Sequence, residues 1–433
     1  MPAVRHPQHD GDIIIAGAGC AGLSALWHLL QSPLADRRIL IVDRTIEPRD
    51  DRTWSFWGPP DAPFAWLADR SWRDVEVRFP SWTSTQRLGT WRGPRRYHRV
   101  RSRDYTAAIL ALAERQPNVR LVPAAMLGID DEHDGARVRT ALGDLRAPVV
   151  MQSVGRPPGG PPARHPLRQH FGGWEVRTEH PIFRPGVATL MDFDAPQDDG
   201  TAFFYLLPDA ADRALVEFTT FSRRPRDRTF YDHHVREYVA DHGAGDVAVE
   251  RTEYGCIPME DRSWPQRCGH HVWNLGTVGG MTKPTSGYTF QRIHRHSRHL
   301  VDTMAATGDP AELPDPPRRF AFGDRTLLHL LDHRPELGRT IFERLFRTTP
   351  IDRVLTFLDE ASSLAQDARM VAHLPLGPFL AAAAAETRAA WRDRRELDRA
   401  FGDTATSIQL DPAPDVHVRA ELFEAPVGDI VAA

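Results

Sequence analysis

The chain has 433 residues, of which 41% are apolar and 26% charged. This length allows a large core, and the composition is that of an ordinary globular protein. The formal charge of −4 leaves no basic excess to neutralise phosphates, which argues against a nucleic-acid-binding protein. The three cysteines are too few and too scattered for a disulfide framework, which favours a reducing compartment. No apolar run is long enough to span a membrane, and the first eleven residues lack the apolar segment of a signal peptide.

The first predicted elements have the order of the opening unit of a doubly wound parallel sheet. A short apolar run predicts a buried strand over residues 12–16, and a helix with one apolar face is predicted over residues 20–31. A second buried strand over residues 39–42 ends at Asp43. A helix over residues 103–116 and strands over 119–122 and 147–154 continue this pattern.

A proline-rich connector at residues 155–166 separates this unit from a series of β-type segments. These segments lie at residues 174–180, 187–193, 203–208 and 213–219. They predict an antiparallel sheet that forms a second lobe, inserted into the first. A strand at residues 275–280 and a helix after Tyr288 are expected to return the chain to the first lobe. The pattern over residues 324–399 is helical.

A glycine motif follows the first predicted strand and opens the first predicted helix. Gly17, Gly19 and Gly22 have the spacing G-x-G-x-x-G, which allows a tight turn, a close approach to a pyrophosphate, and close packing of helix on strand. Asp43, 21 residues beyond Gly22, is placed to accept a hydrogen bond from a ribose hydroxyl. These residues predict a bound dinucleotide; the alternative is a glycine-rich turn without a ligand.

A second glycine-rich turn favours FAD over NAD as this dinucleotide. Its backbone N–H groups and the helix that follows could face the pyrimidine edge of a flavin, and Lys283, the only lysine among 54 basic residues, could add a cation. An ordinary strand-to-helix turn is the alternative, and chance would equally explain a single lysine. The candidate cofactor residues of this turn are Gly276, Thr277, Gly279, Gly280, Lys283 and Gly287.

The predicted fold class is therefore α/β, with a Rossmann-type FAD-binding lobe, an inserted antiparallel sheet for the substrate, and a helical C-terminal region. The expected division is a flexible segment at 1–11, the FAD-binding lobe at 12–154 and 270–322, the substrate lobe at 155–269, the helical region at 323–402, and a disordered tail at 403–433.

A series of short motifs resembles, in order, the motifs of the bacterial flavin-dependent lycopene β-cyclases. The segments are DRTWSFW at 51–57, FYLLP at 204–208, LVEFTTFS at 215–222, EYGCIPM at 253–259, GTVGGMTKPTSGYTF at 276–290 and FLDE at 357–360. The first has Ser55 where the family has cysteine. The family's Asp-x-Arg-Gly pattern near residue 150 is missing, and Ser153 or a neighbour stands in place of the acid.

This resemblance implies a carotenoid-biosynthetic isomerase that cyclises the ψ ends of lycopene to β-ionone rings without net redox change. It implies reduced FAD as the cofactor, NAD(P)H as the reductant, and Arg52 in the first motif as a further cofactor contact. It also implies a cytoplasmic protein associated peripherally with the inner face of the cell membrane. A hydroxylase or reductase of a lipid or aromatic substrate with the same fold is the alternative enzyme, and a non-catalytic carotenoid or flavin carrier is the alternative outside enzymes.

Cyclising a polyene requires an acid inside an apolar pocket. Glu217 lies in an apolar strand, where burial would raise the pKa of its carboxyl, and it matches the acid proposed for the family. Strand alternation also permits an exposed Glu217. Glu253 is the second candidate, as a proton donor or a hydrogen-bonding group near the flavin. Asp359 and Glu360 rank lower, as structural residues.

Two further features of the sequence receive ordinary explanations. The histidine pairs at 233–234 and 270–271 lack a third ligand at a recognisable spacing, so no metal site is predicted. The amphipathic segment at 339–347 could lie in a membrane interface, but core packing of its apolar stripe is favoured.

Overall fold

A computed structural model describes residues 9–90, 93–157, 162–198, 200–400 and 407–410, with the backbone alone described for 393–400. Its strands are β1 (Ile13–Ala16), β2 (Ile39–Asp43), β3 (Thr53–Gly58), β4 (Arg70–Trp72), β5 (Asp74–Phe79), β6 (Trp82–Arg87), β7 (Arg96–Arg101), β8 (Val119–Pro123), β9 (Met126–Glu132), β10 (Gly135–Thr140), β11 (Gly143–Ala147), β12 (Val149–Gln152), β13 (Leu167–Thr178), β14 (Val187–Asp192), β15 (Thr201–Ala210), β16 (Arg213–Ser222), β17 (Val247–Met259), β18 (Arg267–Cys268), β19 (Val272–Asn274) and β20 (Ser407–Gln409).

Helices pack on the first lobe and on both faces of the largest sheet. They are α1 (Cys20–Leu30), α2 (Ser102–Ala113), α3 (Arg228–Asp241), α4 (Phe290–Thr307), α5 (Arg318–His333), α6 (Gly338–Thr348), α7 (Ile351–Leu358), α8 (Leu364–Val371) and α9 (Leu376–Ala400), with short 3-10 turns at Ala65–Leu67, Gly276–Gly279 and Pro335–Leu337.

The first lobe is built on a parallel sheet with the strand order β18-β19-β12-β1-β2-β8, in which β18 alone runs antiparallel to its neighbour. The central strands β1 and β2 are almost wholly apolar because both of their faces are covered. Ile13 and Ile15 pack against helix α1 on one face, whereas Ile14 packs against Ile129 and Val138 of a second sheet, β11-β10-β9-β20, on the other. The predicted strand-helix-strand unit at residues 12–43 is confirmed.

The second lobe is a long sheet with the order β17-β13-β16-β15-β14-β5-β6, antiparallel except where β14 meets β5. Alternate residues of β16 face opposite sides, and both sides are buried. Val216 and Phe218 pack under helix α3, whereas Leu215 and Phe221 face the core formed by helices α5, α6 and α7. A three-stranded sheet, β3-β7-β4, joins the two lobes.

Three parts of the sequence prediction differ from the structure. The expected strand at residues 275–280 is wrong, because Gly276 and Gly280 have φ values of 63° and 81° and fold this segment into a 3-10 turn after β19. Strands β5 and β6 belong to the long sheet of the second lobe, although they precede residue 155. Strand β20 pairs with β9 inside the segment expected to be disordered. Residues 1–8 and 411–433 of the expected flexible ends lie outside the described residues.

The segment at 339–347 lies in helix α6, and its apolar stripe is buried. Ile341, Phe342 and Phe346 are between 2% and 7% exposed, which confirms core packing over a membrane-facing position. Among the described helices, none has both the length and the apolar character needed to cross a bilayer.

Candidate active site

A single large cavity of about 1510 Å³ connects the two lobes. It begins at the turn between β1 and α1, passes along the cavity side of β16 and β17, and ends among helices α5 to α9. It exceeds the size of an ordinary small-molecule pocket, which is about 300–1,000 Å³. Its polar residues are concentrated near the first lobe, and its far walls are apolar.

The first glycine motif forms the backbone geometry that its sequence predicts. Gly17 has φ of 111°, and a Cβ on Gly22 would lie 1.8 Å from the backbone oxygen of Gly17, so helix and strand pack directly against each other. A Cβ on Gly19 would meet no atom within 4 Å, and Gly19 lines the cavity. A ligand can therefore approach the backbone at Gly19.

The start of helix α1 has the features of an anion site. No side chain caps it, and its first turn has no acidic residue, so its N–H groups and partial positive charge face the cavity. Asp43 lines the cavity beside this turn and accepts a hydrogen bond from the N–H of Ala18 at 2.7 Å. Arg52 also lines the cavity, and no carboxylate in the described part of the chain forms an ion pair with it. A Cβ added to Gly17 would lie 2.4 Å from Ser153 Oγ, so Ser153 packs directly against this glycine.

The residues of the second glycine turn divide into two groups. Gly276, Thr277 and Gly287 line the cavity. Gly279 and Gly280 do not; a Cβ on Gly279 would lie 2.1 Å from the backbone oxygen of Asn274, so this glycine allows the turn to pack on β19. The glycine turn therefore lines the cavity at its start, Gly276 and Thr277, and at its end, Gly287.

Lys283 is fully buried, but it does not line the cavity. Its Nζ donates to Asp324 Oδ2 at 2.8 Å and to Glu360 Oε1 at 3.0 Å, between the rings of Phe320 and Phe357. Of the two roles expected for this lysine, the geometry corresponds to supporting the loop. The expected cation for the flavin is not placed at the cavity, because two carboxylates hold the ammonium elsewhere.

Glu217 lies on the cavity side of β16 and is only 7% exposed. Its strand neighbours Val216 and Phe218 point to the opposite face, where helix α3 covers them. The alternative of an exposed residue on a half-buried strand is therefore wrong for Glu217. The reason is that this sheet is covered on both faces, so alternation exposes neither set of side chains.

A glycine brings the carboxyl groups of Glu217 and Glu253 together. Gly173 on β13 pairs with Glu217 on one neighbouring strand and with Glu253 on the other, so the three residues lie side by side across the sheet. A Cβ on Gly173 would lie 2.5 Å from Cγ of Glu217. The missing side chain leaves space between the strands, in which the side chains of Glu217 and Glu253 lie as neighbours.

The two carboxyl groups have different surroundings. Oε2 of Glu253 accepts hydrogen bonds from Thr53 Oγ1 and from Arg251 Nη1, both at 2.6 Å. Among the described residues, Glu217 forms no ion pair. Burial raises the pKa of the Glu217 carboxyl well above its usual range, and the adjacent Glu253 raises this pKa further. The surroundings of Glu217 therefore favour its protonated form, whereas the carboxylate of Glu253 is held by Arg251 and Thr53.

A group of tyrosines lies beside the pair. Tyr205 is the direct neighbour of Glu217 on β15, and its hydroxyl donates to Ser55 Oγ at 2.9 Å. The hydroxyl of Tyr97 lies 2.8 Å from that of Tyr205 and 2.9 Å from that of Tyr288. These hydroxyl groups satisfy one another, so Glu217 lies between the tyrosines on one side and Glu253 on the other.

Several residues of this site were missed by the sequence analysis. Gly173, Arg251 and Tyr97 carry no local motif, and their importance depends on strand pairing between distant segments. Thr53 and Ser55 lie inside the first motif of the family resemblance, but their hydrogen bonds with Glu253 and Tyr205 were not predicted.

The fold is that of the two-lobed FAD-binding flavoproteins. Solved structures with this fold include a geranylgeranyl bacteriochlorophyll reductase-like protein from Thermoplasma acidophilum, with 13% identity and a TM-score of 0.58 over 85% of this chain and 97% of that chain. A flavoprotein/dehydrogenase from Cytophaga hutchinsonii aligns with 11% identity and a TM-score of 0.56 over 80% of this chain and 92% of that chain.

A family model described as lycopene cyclase protein matches residues 12–384. The lycopene beta-cyclase of Paracoccus sp. (strain N81106 / MBIC 01143) is 30% identical over 366 residues, which are 80% of this chain and 86% of that relative. The lycopene beta-cyclase of Pseudescherichia vulneris is 29% identical over 293 residues, 64% of this chain and 70% of that relative. The chain belongs to the lycopene cyclase family, which confirms the resemblance found in its motifs.

The pairing over Gly173 leads to a spectroscopic prediction. In Gly173→Ala, the added methyl group displaces the side chain of Glu217 and separates the two carboxyl groups. The infrared C=O band of the protonated carboxyl, assigned by its loss in Glu217→Gln, is expected to shift to higher frequency as its hydrogen bond is lost. Gly186→Ala, at an exposed glycine with no atom within 4 Å of the added Cβ, is the matched control and should leave the band in place. An unshifted band in Gly173→Ala would contradict the pairing.

Proposed function

We propose that this protein is an FAD-dependent lycopene β-cyclase that forms β-ionone rings at the ψ ends of lycopene by proton transfer, without net redox change. The observation that supports this most directly is the buried Glu217, beside Glu253, on the wall of a cavity that continues to the glycine turn between β1 and α1. Lycopene cyclase relatives supply the substrate class.

The residues of the first lobe fit FAD. Gly19 and the uncapped start of α1 offer backbone N–H groups to a pyrophosphate, Arg52 offers a cation, and Asp43 has oxygen atoms on the cavity wall for a ribose hydroxyl. Gly276, Thr277 and Gly287 form the wall for the flavin end. When bound in its reduced form, with NAD(P)H as the reductant, FAD would supply negative charge that stabilises a carbocation. In this proposal the lobe with the parallel sheet holds the cofactor and the long sheet forms the substrate wall.

Glu217 delivers the proton that starts cyclisation. The raised pKa of its carboxyl keeps the proton on the acid at neutral pH, and the proton is transferred to a terminal double bond of the polyene. The neighbouring double bond then closes onto the cation and forms the ring. Loss of a ring proton to the Glu217 carboxylate restores the acid, so no atom or electron is gained overall.

Glu253 and Arg251 hold the acid in position. Glu253 accepts the hydrogen bond of the protonated Glu217, and its own orientation is fixed by Arg251 and Thr53. The negative charge of Glu253 also favours the cation that forms beside it. A fixed group of this kind needs no reorganisation when the charge develops.

The apolar walls exclude water from this reaction. Phe203 and Phe221 of the sheet face Phe342 and Leu355 of helices α6 and α7 across the cavity. A carbocation in contact with water would be captured as an alcohol, so these walls determine that the product is a ring alkene. They also match a hydrocarbon substrate in shape and polarity.

The open end of the cavity suggests how a hydrocarbon enters. Leu364 on α8 and Leu376 and Leu380 on α9 are 69%, 49% and 67% exposed, and all three also line the cavity. Arg369 and Arg388 are exposed on the same two helices. Leucines with arginines beside them suit a bilayer surface that contains anionic lipids. We therefore assign peripheral membrane association, at the inner face of the cell membrane, to α8 and the start of α9 rather than to α6.

The cofactor assignment predicts the effect of a larger residue at Gly19. Gly19→Val places a side chain on the open side of the turn, where a pyrophosphate would lie, so the purified variant should lose most of its bound FAD. Absorption of the released flavin per chain measures this. Gly186→Val, at an exposed and uncrowded glycine, should retain full flavin. Full occupancy in Gly19→Val would overturn the assignment of this turn.

The proton donor is tested by a conservative pair of substitutions. Glu217→Gln keeps the size of the side chain but has no transferable proton, so cyclisation of lycopene should slow by about 100-fold or more with FAD still bound. Glu253→Gln removes the fixed charge and should cause a smaller loss. Glu250→Gln, at an exposed glutamate on the same strand as Glu253, is the matched control and should remain fully active. Pigment chromatography measures conversion.

The same experiment separates the competing functions. A cyclase should show no consumption of NAD(P)H in proportion to product, whereas a hydroxylase or reductase would consume one equivalent for each product, and a carrier would form no product. The wild-type rate should fall as pH rises, because the acid acts only while its raised pKa keeps it protonated. A near wild-type rate for Glu217→Gln with an inactive, flavin-bound Glu253→Gln would transfer the role of acid to Glu253.

The membrane surface predicts a loss of vesicle binding. The double variant Leu376→Glu, Leu380→Glu should bind vesicles of phosphatidylcholine and phosphatidylglycerol about tenfold more weakly or worse, since it removes two leucines from the contact. Co-flotation with the vesicles measures this. Leu142→Glu, at a leucine that is 75% exposed on the hairpin between β10 and β11, is the control and should bind like wild type. If the double variant binds vesicles as strongly as the wild type, the assignment of membrane association to α8 and the start of α9 is wrong.

A further inference from the structure

A cluster of histidine and carboxylate side chains lies outside the cavity, where three distant segments meet. His165 precedes β13, His329 and His333 lie one turn apart on α5, and Glu386 lies on α9. None of these residues lines the cavity, and the catalytic pair does not use them. His165 and Glu386 are each 3% exposed.

Two histidines of this cluster reach one carboxylate oxygen, and the third lies beside them. His165 Nε2 lies 2.9 Å and His329 Nδ1 lies 3.1 Å from the same oxygen, Oε1 of Glu386. The three histidines have ring nitrogens within 4.8 Å of one another. Ligands about 2.0–2.1 Å from a tetrahedral zinc ion are about 3.3 Å apart, so only small side-chain movements separate this cluster from a coordination shell.

The residues behind these donors have the arrangement that orients metal ligands. The second ring nitrogen of His165, Nδ1, lies 3.3 Å from Asp332 Oδ2, and Asp332 is itself held by Arg223 at 2.6 Å. A carboxylate of this kind fixes the ring and its tautomer, so that the other nitrogen presents a lone pair. The second oxygen of Glu386 lies 2.9 Å from Arg164 Nη1, which fixes the carboxylate.

The cluster also has an electrostatic reason to take up a cation. A neutral His165 has one N–H: when it is directed at Asp332, the lone pair on Nε2 faces Glu386 Oε1, and in the other tautomer the lone pair on Nδ1 faces Asp332 Oδ2. Two buried acceptors at 2.9 Å repel each other unless a positive charge lies between them. A metal ion or an added proton on the imidazole can supply that charge, and four nitrogen and oxygen donors favour the metal ion.

We propose that His165, His329, His333 and Glu386 bind one divalent transition-metal ion of the zinc class. The ion has a structural role, because its ligands join the chain before β13 to helices α5 and α9. Helix α9 also bears Leu380 and Ala383 on the cavity wall, about two turns and one turn before Glu386, respectively. The ion therefore holds α9 in place over the cavity. The proposal departs from the sequence prediction of no metal and is independent of the cyclase assignment.

Metal binding by the full-length protein tests this directly. The chain is stripped with a chelator, dialysed, and titrated with Co²⁺ and then Zn²⁺. We expect one Co²⁺ per chain, with the visible absorption of a tetrahedral nitrogen and oxygen site, and its displacement by Zn²⁺. His329→Gln and Glu386→Gln should each weaken Zn²⁺ binding by about tenfold or more.

The matched control uses another histidine and carboxylate group. His233, His234 and Glu237 cluster on the surface of α3, where His233 and Glu237 are exposed and no buried carboxylate orients the rings. His233→Gln should leave the stoichiometry and affinity unchanged. If His233→Gln abolishes binding and His329→Gln does not, the ion belongs to the surface group and the proposal is wrong.

Thermal unfolding of the wild-type protein gives a second test that needs no variant. An equimolar addition of Zn²⁺ to the stripped chain should raise Tm, because an ion bound only by the folded state stabilises it. Failure to bind Co²⁺ or Zn²⁺, together with an unchanged Tm, would show that a proton on His165 supplies the charge, and would overturn the proposal.

Discussion

The candidate site depends on two carboxyl groups, Glu217 and Glu253, that lie side by side out of water. Isolated in an apolar cavity, two carboxylates would repel each other, so one of them retains its proton. Three features produce this outcome: Glu217 lies on a strand buried on both faces, Gly173 leaves space between the strands, and Arg251 fixes Glu253. The long sheet therefore serves as a rigid frame that sets the distance between two acids.

The family motifs describe one set of contacts. Thr53 and Ser55, in the first motif, reach Glu253 and Tyr205, which belong to two other motifs. Trp57, in the same first motif, donates to Asp359 near the end of α7 at 2.9 Å. Segments separated by as many as 302 residues are thus joined around the cavity. The motifs are far apart in the sequence, but the strands and helices that carry them place their side chains around one cavity.

Local patterns predicted the first lobe well, because a buried strand, a glycine turn and an amphipathic helix each depend on neighbouring residues. Glu217 was found by its motif, but its burial depends on helices α5, α6 and α7, which cover its own face of the sheet. The roles of Gly173 and Arg251 follow from the register of β13 with β16 and β17, and no local signal specifies that register. The prediction of a strand at residues 275–280 was wrong because Gly276 and Gly280 adopt positive φ values, which turn the backbone out of an extended conformation.

The burial of Lys283 has a consequence for the chemistry of the whole chain. Every other basic residue is arginine, so Lys283 is the only side-chain amine in 433 residues. In the folded protein this amine is enclosed by Asp324 and Glu360 and is 0% exposed. Reagents that acylate lysine must wait for this region to open before they react. The rate at which Lys283 is modified therefore reports how often the loop between the second glycine turn and the C-terminal helices separates from its carboxylate partners.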